Sequence, residues 1–274
     1  MHLKTNKVEE VNLDEYIANV VSAEMPVNYN IEALKAQAIV ARTYTIYKIT
    51  TSSKHKNADV CDDSKCCQAW ISKSNRLKKW DSNKAKANWN KIIQAVNETK
   101  GKIITYKGKP INAFFHANSG GKTEIPYYVW GGKGYPYLQV VETAGEENYS
   151  GYQSEAEFTK KEFENKVKEK HDDFKINYEE KDCIKIEERD SSNRVVTVKI
   201  GNLQLSGVEA RSLLGLRSAN FEVKIENDKI KFIVLGYGHG VGMSQTGADS
   251  LAKQGKNYEE IIKHFYKDVE IIDM

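Results

Sequence analysis

Apolar residues recur at helical spacing near the start of the chain. After Asn12, a residue type that often caps helices, six apolar residues fall on one helical face, and Pro26 cannot continue the helix. They are Leu13, Tyr16, Ile17, Val20, Val21 and Met25. The pattern predicts a helix whose last turn holds Glu24.

A second helix is predicted over residues 31–50, after the short turn V-N-Y-N. It is rich in small residues, which let a neighbouring element approach closely. These are Ala33, Ala36, Ala38 and Ala41. We therefore expect the two helices to pack as a tight hairpin with Glu24 at its bend.

The rest of the chain mixes helical and strand patterns. Residues 52–83 lack clean periodicity and predict a long loop, whereas a helical pattern from Trp89 predicts a helix ended by Gly101. The segment K-I-I-T-Y-K-G-K-P-I-N-A-F-F-H-A predicts a β-hairpin around residues 107–110. Farther on, E-F-T-K-K-E-F-E-N-K-V-K-E-K predicts an exposed helix, and V-V-T-V-K-I, F-E-V-K-I-E and K-F-I-V-L predict strands.

These patterns together predict an α+β fold. A helical hairpin and β-hairpins would form a catalytic lobe from residues 1–141 and 229–274. The highly charged residues 142–228 would form a second α+β lobe, inserted into the first, with a cleft between the two lobes.

Composition is typical of an ordinary globular protein. The 274 residues, of which 40% are hydrophobic and 29% charged, can bury a core without disulfides. A net charge of +3 supplies no strong field for nucleic acid or an anionic membrane, so we expect no nucleic-acid partner. The apolar runs are far shorter than the ~20 residues that cross a bilayer. The polar start does not resemble a signal sequence, so a signal or anchor would be a removed segment.

Glu24 is the first candidate for chemistry. The partial negative charge at a helix C-terminus disfavours an ionised carboxylate, and burial among apolar neighbours acts in the same direction, so both would raise the pKa of Glu24. A glutamate that stays protonated near neutral pH can be the general acid that cleaves a glycosidic bond. The alternative is a solvated glutamate that merely ends a helix.

The predicted second helix adds polar groups to an alanine-rich element directly after the bend. Lys35, Gln37 and Arg42 could bind a polar substrate beside Glu24. Solvation or local salt bridges would explain these three side chains equally well.

The segment H-K-N-A-D-V-C-D-D-S-K-C-C-Q-A-W is a candidate metal site. It holds one histidine and three cysteines within 13 residues, enough for tetrahedral zinc. Because adjacent Cys66 and Cys67 would need strain to reach one ion, we predict the ligands His55, Cys61 and Cys67, with Cys66 as a substitute and a fourth position open for water, as in a metallohydrolase. A disulfide such as Cys61 to Cys67, or free thiols, are the alternatives. Cys183 lies alone in a strand-like segment and is expected in the core.

Two glycine-rich motifs farther along the chain are candidates for substrate binding. In F-F-H-A-N-S-G-G-K-T a strand delivers His116, glycines let backbone N–H groups approach a ligand, and hydroxyl and amide side chains suit sugars. An ordinary hairpin exit is the alternative. In G-Y-G-H-G-V-G-M-S-Q-T-G, glycine at every second position from Gly236 to Gly242 indicates close approach to the backbone. The first motif lacks phosphate-loop spacing, and the second lacks the dinucleotide fingerprint and the nucleophile elbow.

Between these motifs, P-Y-Y-V-W-G-G-K-G-Y-P-Y crowds aromatic residues with three glycines, a usual platform for the apolar face of a sugar ring. Core packing or partner contact would explain some of the aromatic residues equally well. The substrate-binding residues that we predict are Lys35, Gln37, Arg42, His116, Asn118, Ser119, Gly120, Gly121, Thr123, Tyr137, His239, Gly240, Met243 and Gln245.

Five segments, in chain order, resemble the stage II sporulation protein D family of peptidoglycan lytic transglycosylases. They are S-A-E-M-P, A-L-K-A-Q-A-I-V-A-R-T-Y, the C-x-x-x-x-C-C-Q loop, H-A-N-S-G-G-K-T and G-Y-G-H-G-V-G-M-S-Q-T-G-A. The resemblance covers both ends of the chain and most of its first half, and the charged middle carries much less of it. One departure is Cys66, where members of the family often have histidine. It favours the metal interpretation, since histidine and cysteine are interchangeable mainly as ligands.

The resemblance implies a cell-wall enzyme of spore-forming bacteria that acts in engulfment of the forespore. An N-terminal transmembrane helix, absent from this chain, would tether it to the mother-cell membrane facing the septal wall. It would cleave the bond between N-acetylmuramic acid and N-acetylglucosamine without water, leaving 1,6-anhydromuramoyl ends, after a partner amidase, stage II sporulation protein P, has removed stem peptides. By motif, Glu24 matches the catalytic acid/base, and Lys35 and Arg42 match polar residues of the following helix.

The implied chemistry suits a single carboxyl group. Ordinary glycosidases need two carboxylates, whereas in a lytic transglycosylase the sugar's own C6 hydroxyl is the nucleophile. Glu24 is the only carboxylate in the recognised motifs beside the proposed cleft, although Glu124 also lies next to S-G-G-K-T. A zinc-dependent amidase or peptidase acting on the same wall, and a wall-binding module without chemistry, are the alternatives.

Overall fold

The structure is a computed structural model that describes residues 1–51, 55–132 and 134–274. Within these ranges the helices are α1 (Leu13–Glu24), α2 (Ile31–Thr51), α3 (Lys73–Lys79), α4 (Ser82–Asn97), α5 (Pro126–Trp130), α6 (Lys160–Lys168), α7 (Gly207–Leu214), α8 (Gln245–Lys253) and α9 (Tyr258–Phe265). The strands are β1 (Lys102–Tyr106), β2 (Lys109–Pro110), β3 (Phe115–His116), β4 (Gln153–Thr159), β5 (Ile184–Arg189), β6 (Val195–Ile200), β7 (Leu203–Ser206), β8 (Asn220–Glu226), β9 (Lys229–Leu235), β10 (Met243–Ser244) and β11 (Glu270–Asp273). The predicted mixture of α and β structure is confirmed.

The described chain forms two compact units. Unit 1 consists of Met1–Phe115 and Ala248–Met274, and unit 2 consists of His116–Gly247. The second unit is continuous in sequence, while the first is built from both ends of the chain. The predicted lobes, with boundaries at residues 142 and 228, and the cleft between them stay a prediction.

Unit 1 is organised around α2. This helix is buried on nearly all sides, against α1, α4, α9 and β1, and its four alanines Ala33, Ala36, Ala38 and Ala41 have no exposed surface. Small side chains permit such close packing of a helix on several neighbours at once. Both helices predicted at the start of the chain are confirmed, and they pack on each other.

The helix and strand ends of unit 1 follow local chemistry. Asn12 caps α1 by accepting hydrogen bonds from the backbone N–H groups of Asp14 and Glu15. The predicted hairpin is confirmed: β1 pairs antiparallel with β2, and also with β11. Lys107 and Gly108 turn the chain between β1 and β2 with φ of 50° and 73°, in the left-handed region that suits a tight turn.

The prediction of one long loop over residues 52–83 is wrong in part, because α3 forms within it. Ser72 caps α3 by accepting a hydrogen bond from the backbone N–H of Asn75. No residue of this helix is buried, so its sequence carries no apolar period that could have indicated a helix. Residues 52–54 of the segment lie outside the described residues.

Unit 2 contains two three-stranded antiparallel sheets, β4-β9-β8 and β5-β6-β7. Its core joins apolar residues of both sheets with those of α6 and α7, and Cys183 lies in it, as predicted. The charged segment does form a helix, α6, started by a capping box of Thr159 and Glu162. It is not exposed all round, because Phe163 and Val167 on one face are buried in the core.

None of the described helices combines the length and apolar composition that a membrane span requires.

Candidate functional site

Glu24 is the last residue of α1. The helix ends there because Met25 adopts an extended conformation and Pro26 follows it. The Glu24 side chain is half-buried, and its Oε1 accepts a hydrogen bond of 2.6 Å from the backbone N–H of Ala69. One carboxylate oxygen is thereby fixed between the helix end and the loop that follows the cysteines.

A groove of about 540 Å³ lies beside the end of α1. Its lining includes Ala23, the neighbour of Glu24 in sequence, and an aromatic and several cationic side chains. The lining residues are Ala23, Trp70, Ile71, Asn75, Arg76, Lys78 and Lys79. Arg76 donates a hydrogen bond to the backbone carbonyl of Ser22 and stacks on the ring of Trp80 at 5.0 Å, so the groove wall is tied to α1. Aromatic and hydrogen-bonding side chains of this kind are suited to a polar saccharide.

The polar residues of α2 are engaged in the fold. Lys35 forms salt bridges with Glu32 at 2.8 Å and Glu98 at 2.5 Å, which is the local alternative recognised from the sequence. Gln37 and Arg42 have no exposed surface. In this conformation neither of these two side chains offers a surface to a substrate, and binding by all three stays a prediction.

Arg42 binds the chain where it passes from α4 to β1. Its Nη1 donates to the carbonyls of Thr99 at 2.8 Å and Lys102 at 3.2 Å, and its Nη2 lies 3.3 Å from a carboxylate oxygen of Asp14. The Nη2 is also 3.5 Å from the Val96 carbonyl in the last turn of α4, where a cation interacts favourably with the helix dipole. The observed contacts of Arg42 are thus structural.

His55 and three cysteines of unit 1 form a candidate metal centre. Each of His55, Cys61, Cys66 and Cys67 offers one ligand atom, and the four atoms lie within 4.8 Å of one another. The His55 Nε2 is 3.6 Å from the Cys66 Sγ and 3.8 Å from the Cys67 Sγ, and the two sulfurs are 4.0 Å apart. Tetrahedral zinc with ordinary bond lengths requires about 3.6 Å between nitrogen and sulfur and about 3.8 Å between sulfurs. The donor set and its spacing therefore fit zinc.

Cys66, predicted only as a substitute ligand, lies close enough to join His55, Cys61 and Cys67, and the exact ligand set stays a prediction. Adjacent cysteines can converge here because the chain turns at residues 63–67, where the N–H groups of Cys66 and Cys67 both donate to the carbonyl of Asp63. All four cysteines of the chain are free thiols, so the structure contains no Cys61–Cys67 disulfide. Burial raises the pKa of the Cys61 thiol to about 12, so forming the thiolate there is unfavourable. A cation bound to the thiolate would offset this cost of deprotonation.

In unit 2 the H-A-N-S-G-G motif surrounds a buried carboxylate, Glu146, which has no exposed surface. Six groups donate hydrogen bonds to it, from three separate segments of the chain. The donors are the Ser119 N–H and Oγ, the Gly121 N–H, the Thr143 Oγ1, the Ser244 Oγ and the Thr246 Oγ1. A buried anion satisfied by this many donors fixes the geometry of all three segments.

Most of the substrate-binding residues predicted in unit 2 are buried. These are His116, Asn118, Ser119, Thr123, Tyr137, Gly240, Met243 and Gln245, whereas Gly120, Gly121 and His239 are half-buried. The Nδ1–H of His116 donates to the Val241 carbonyl at 3.1 Å, and burial lowers the pKa of His116 to about 3, so its ring is neutral. Substrate contact by this set stays a prediction, and within it His239 offers accessible surface.

A second buried polar cluster, absent from the predicted set, joins Glu124, Asp190, Ser192 and Arg194. The Ser192 Oγ is 2.7 Å from carboxylate oxygens of both Glu124 and Asp190, although it has one hydrogen to donate. Burial first, and then the hydrogen bond with Asp190, raises the pKa of Glu124 to about 8. Although burial opposes it, the hydrogen bonds from Glu124 and Ser192 lower the pKa of Asp190. The pair is thus arranged to hold one proton between two carboxyl groups.

Arg194 connects this cluster to the glycine-rich motifs. Its Nη2 donates to the Ser119 carbonyl at 2.7 Å and its Nη1 to the Lys122 carbonyl at 2.9 Å. A side chain at Gly240 would place its Cβ 2.4 Å from the Arg194 Nη2, so glycine there makes room for the guanidinium. The sequence offers one signal for this cluster, an aspartate and an arginine at the two ends of the turn D-S-S-N-R. Nothing in the local sequence indicates that this turn contacts residues 119–122.

Comparisons with known proteins connect this site to a family. A sequence model described as stage II sporulation protein matches residues 2–106. The chain is 38% identical over 269 residues to stage II sporulation protein D of Bacillus amyloliquefaciens, covering 97% of this chain and 76% of that protein. It is 36% identical over 266 residues to stage II sporulation protein D of Bacillus subtilis, covering 96% and 75%. A more distant relative is the amidase enhancer of Bacillus subtilis, 26% identical over 301 residues, covering 91% of this chain and 39% of that protein.

Proposed function

The chain belongs to the stage II sporulation protein D family, and from that membership we propose that it is a peptidoglycan lytic transglycosylase acting in engulfment during sporulation. One observation carries the proposal: Glu24 is half-buried at the end of α1, its carboxylate is held by the Ala69 N–H, and the neighbouring Ala23 lines a groove with polar and aromatic side chains. A single carboxyl group so placed can serve as both acid and base.

The proposed reaction moves one proton out of Glu24 and one back. The protonated carboxyl donates its proton to the oxygen between C1 of N-acetylmuramic acid and C4 of N-acetylglucosamine, and that C–O bond breaks. The C6 hydroxyl of the same muramic residue bonds to C1 and gives its proton to the Glu24 carboxylate. The products are a 1,6-anhydromuramoyl end and a free C4 hydroxyl, and no water is consumed.

The Ala69 N–H has a defined task in this cycle. It donates to one carboxylate oxygen of Glu24 at 2.6 Å and so orients the carboxyl group for proton exchange with the substrate. A backbone donor cannot itself be titrated, so it orients the carboxyl group in both protonation states. Three cationic side chains of the groove, Arg76, Lys78 and Lys79, would bind polar groups of the glycan.

Zinc at His55, Cys61, Cys66 and Cys67 would act structurally. Four protein ligands close a tetrahedral site, whereas a catalytic zinc keeps one position open for water or substrate. The geometry therefore favours a bound ion that fixes the cysteine loop. Ala69, two residues after Cys67, donates its N–H to Glu24, so the ion would also fix this contact. The same geometry weighs against a zinc-dependent amidase or peptidase.

The test is the substitution Glu24→Gln, which keeps the shape of the side chain and removes the exchangeable proton. We expect the release of 1,6-anhydromuramoyl products from purified wall, tested both intact and stripped of its stem peptides, to fall roughly 100-fold to 10,000-fold, with binding to glycan retained. The matched control is Glu15→Gln, an exposed glutamate of the same helix, which should leave cleavage unchanged. Undiminished anhydro product from the Glu24→Gln protein would refute the assignment.

Mass spectrometry of the same digests separates the other candidate functions. An amidase or peptidase would release stem peptides, and a binding module would leave intact wall with bound protein. We propose that the natural substrate is glycan already stripped of peptides by a partner amidase, stage II sporulation protein P, in the engulfment complex. The name of the relative called amidase enhancer is consistent with such a pairing. We further propose an extracytoplasmic location, with an anchor outside this sequence.

A further inference from the structure

Unit 2 exposes several aromatic side chains, and one of them, Tyr128, lines a small cavity. Tyr127 and Tyr128 on α5 are exposed, and Trp130 at the end of the same helix is 51% exposed. Tyr237, after β9, is 49% exposed. Folded proteins normally cover such side chains, and a cluster of exposed aromatic rings indicates a binding surface.

The aromatic residues form one surface through His239. The ring of Trp130 lies 5.1 Å from the ring of His239, and Tyr128 and His239 both line the cavity. Tyr237 is two residues before His239. The intervening Gly238 has a φ of 119°, and a side chain there would come within 2.8 Å of the His116 Cβ, so the positions of Tyr237 and His239 are fixed by the backbone.

Two arginines lie beside this surface, Arg211 and Arg217. Of the four arginines in unit 2, Arg189 pairs with Glu222 and Arg194 binds backbone carbonyls. Among the described residues no carboxylate forms an ion pair with Arg211 or Arg217. Arg211 and Arg217 occupy defined positions next to the exposed rings.

Arg211 lines the cavity with Tyr128 and His239, and its Nε donates a long hydrogen bond of 3.4 Å to the Leu216 carbonyl. Burial and the neighbouring Arg194 lower the pKa of Arg211, so an anion there would relieve an unfavourable charge. The guanidinium of Arg217 lies over the Tyr237 ring at 5.0 Å. Guanidinium groups recognise carboxylates through a planar fork of donors.

We propose that this surface is a subsite for an acidic saccharide, in which Trp130 and Tyr237 receive the apolar face of a sugar ring and Arg211 and Arg217 receive a carboxylate. The inference rests on the proposed function, because in a wall glycan the carboxylate is that of the lactyl group of N-acetylmuramic acid when no peptide is attached. An attached peptide turns this carboxylate into a neutral amide, which Arg211 and Arg217 would bind less well.

Binding is measured by calorimetry with three disaccharides. One is N-acetylglucosaminyl-N-acetylmuramic acid with its free carboxylate, the second is its methylamide, and the third is the neutral dimer of N-acetylglucosamine. None contains a bond from muramic acid to a following glucosamine, so none can be cleaved by the proposed reaction. We expect the free acid to bind at least about tenfold more tightly than the methylamide.

The variants assign the discrimination to residues. Arg211→Met and Arg217→Met should each reduce the preference for the free acid over the methylamide. Tyr237→Ala should weaken the binding of all three disaccharides, whereas Tyr237→Phe should not. Arg189→Met, which removes the arginine paired with Glu222, and Ile225→Ala, which removes an exposed apolar side chain, are matched controls that should change nothing. Because Arg217 is exposed, its variant keeps the test valid should Arg211→Met fail to fold.

Equal affinities for the acid and its methylamide, or an unchanged preference in both arginine variants, would overturn the subsite. That result would leave the proposed cleavage standing, since it does not involve Glu24. Conversely, full cleavage by Glu24→Gln would refute the proposed function and leave these binding measurements valid.

Discussion

Replacing Arg42 by methionine separates a structural role from substrate contact at this position. Arg42 is among the substrate-binding residues predicted from the sequence, whereas the structure buries it completely, and its guanidinium binds carbonyls in the segment from α4 to β1. Methionine keeps much of the side-chain volume and removes every donor. The two roles then predict different outcomes for stability and for cleavage.

The expected loss of stability follows from the lost hydrogen bonds. Two of them, to the carbonyls of Thr99 and Lys102, are 2.8 and 3.2 Å long, and the contacts with Asp14 and Val96, at 3.3 and 3.5 Å, are weaker. A hydrogen bond from a charged group contributes about 1.5 to 3 kcal/mol, so two good ones are worth about 3 to 6 kcal/mol. At about 3 °C for each kcal/mol, the melting temperature should fall by roughly 9 to 18 °C.

Thermal unfolding followed by circular dichroism measures the effect, with Lys35→Met as the control. Lys35 loses only partly exposed salt bridges, so its variant should lose about 1 kcal/mol or less. An unchanged melting temperature for Arg42→Met together with lost cleavage would show that the structural interpretation of Arg42 is wrong.

Two further predictions concern the metal centre and the carboxyl pair. Elemental analysis of protein purified without added metal should find about one zinc per chain, lost in Cys61→Ala, Cys66→Ser and Cys67→Ala but kept in Cys183→Ala, and a metal-free wild type would refute the site. The pKa of Glu124 is raised from 4.5 to about 8 in the folded protein, so the wild type should lose stability as the pH rises from 5 to 8. The variant Glu124→Gln has no such proton to lose and should not show this loss. Melting temperatures of the two proteins that change in parallel at pH 5, 6.5 and 8 would contradict the prediction.

Local sequence patterns predict the helices and strands that have a clear apolar periodicity or residues that mark their ends. The cap at Asn12, the stop at Pro26 and the alanines of α2 all act over a few residues, so α1 and α2 are readable from sequence. The short helix α3 is not, because none of its residues is buried and no apolar face exists to produce a period.

The candidate site was predictable as a set of residue types and much less as a set of contacts. The sequence indicated that serine, glycine and asparagine of H-A-N-S-G-G meet something polar, and the motif was interpreted as meeting a ligand. In the structure Ser119 and Gly121 donate to Glu146, a residue in a separate segment. A single sequence shows which polar groups need hydrogen-bond partners. Whether the partner is another residue of the protein or a substrate depends on segments that are distant in sequence.

Convergence of the chain on Glu146 also bears on how unit 2 folds. Ser119 lies 27 residues before this carboxylate, while Ser244 and Thr246 lie 98 and 100 residues after it. Contacts so far apart in sequence close late, because the entropy of the intervening loop is lost before they can form. During synthesis Glu146 therefore leaves the ribosome well before two of its donors exist. The loop at Ser119–Gly121 can acquire its native geometry only when the chain is nearly complete, so fragments that stop before Ser244 should not acquire it.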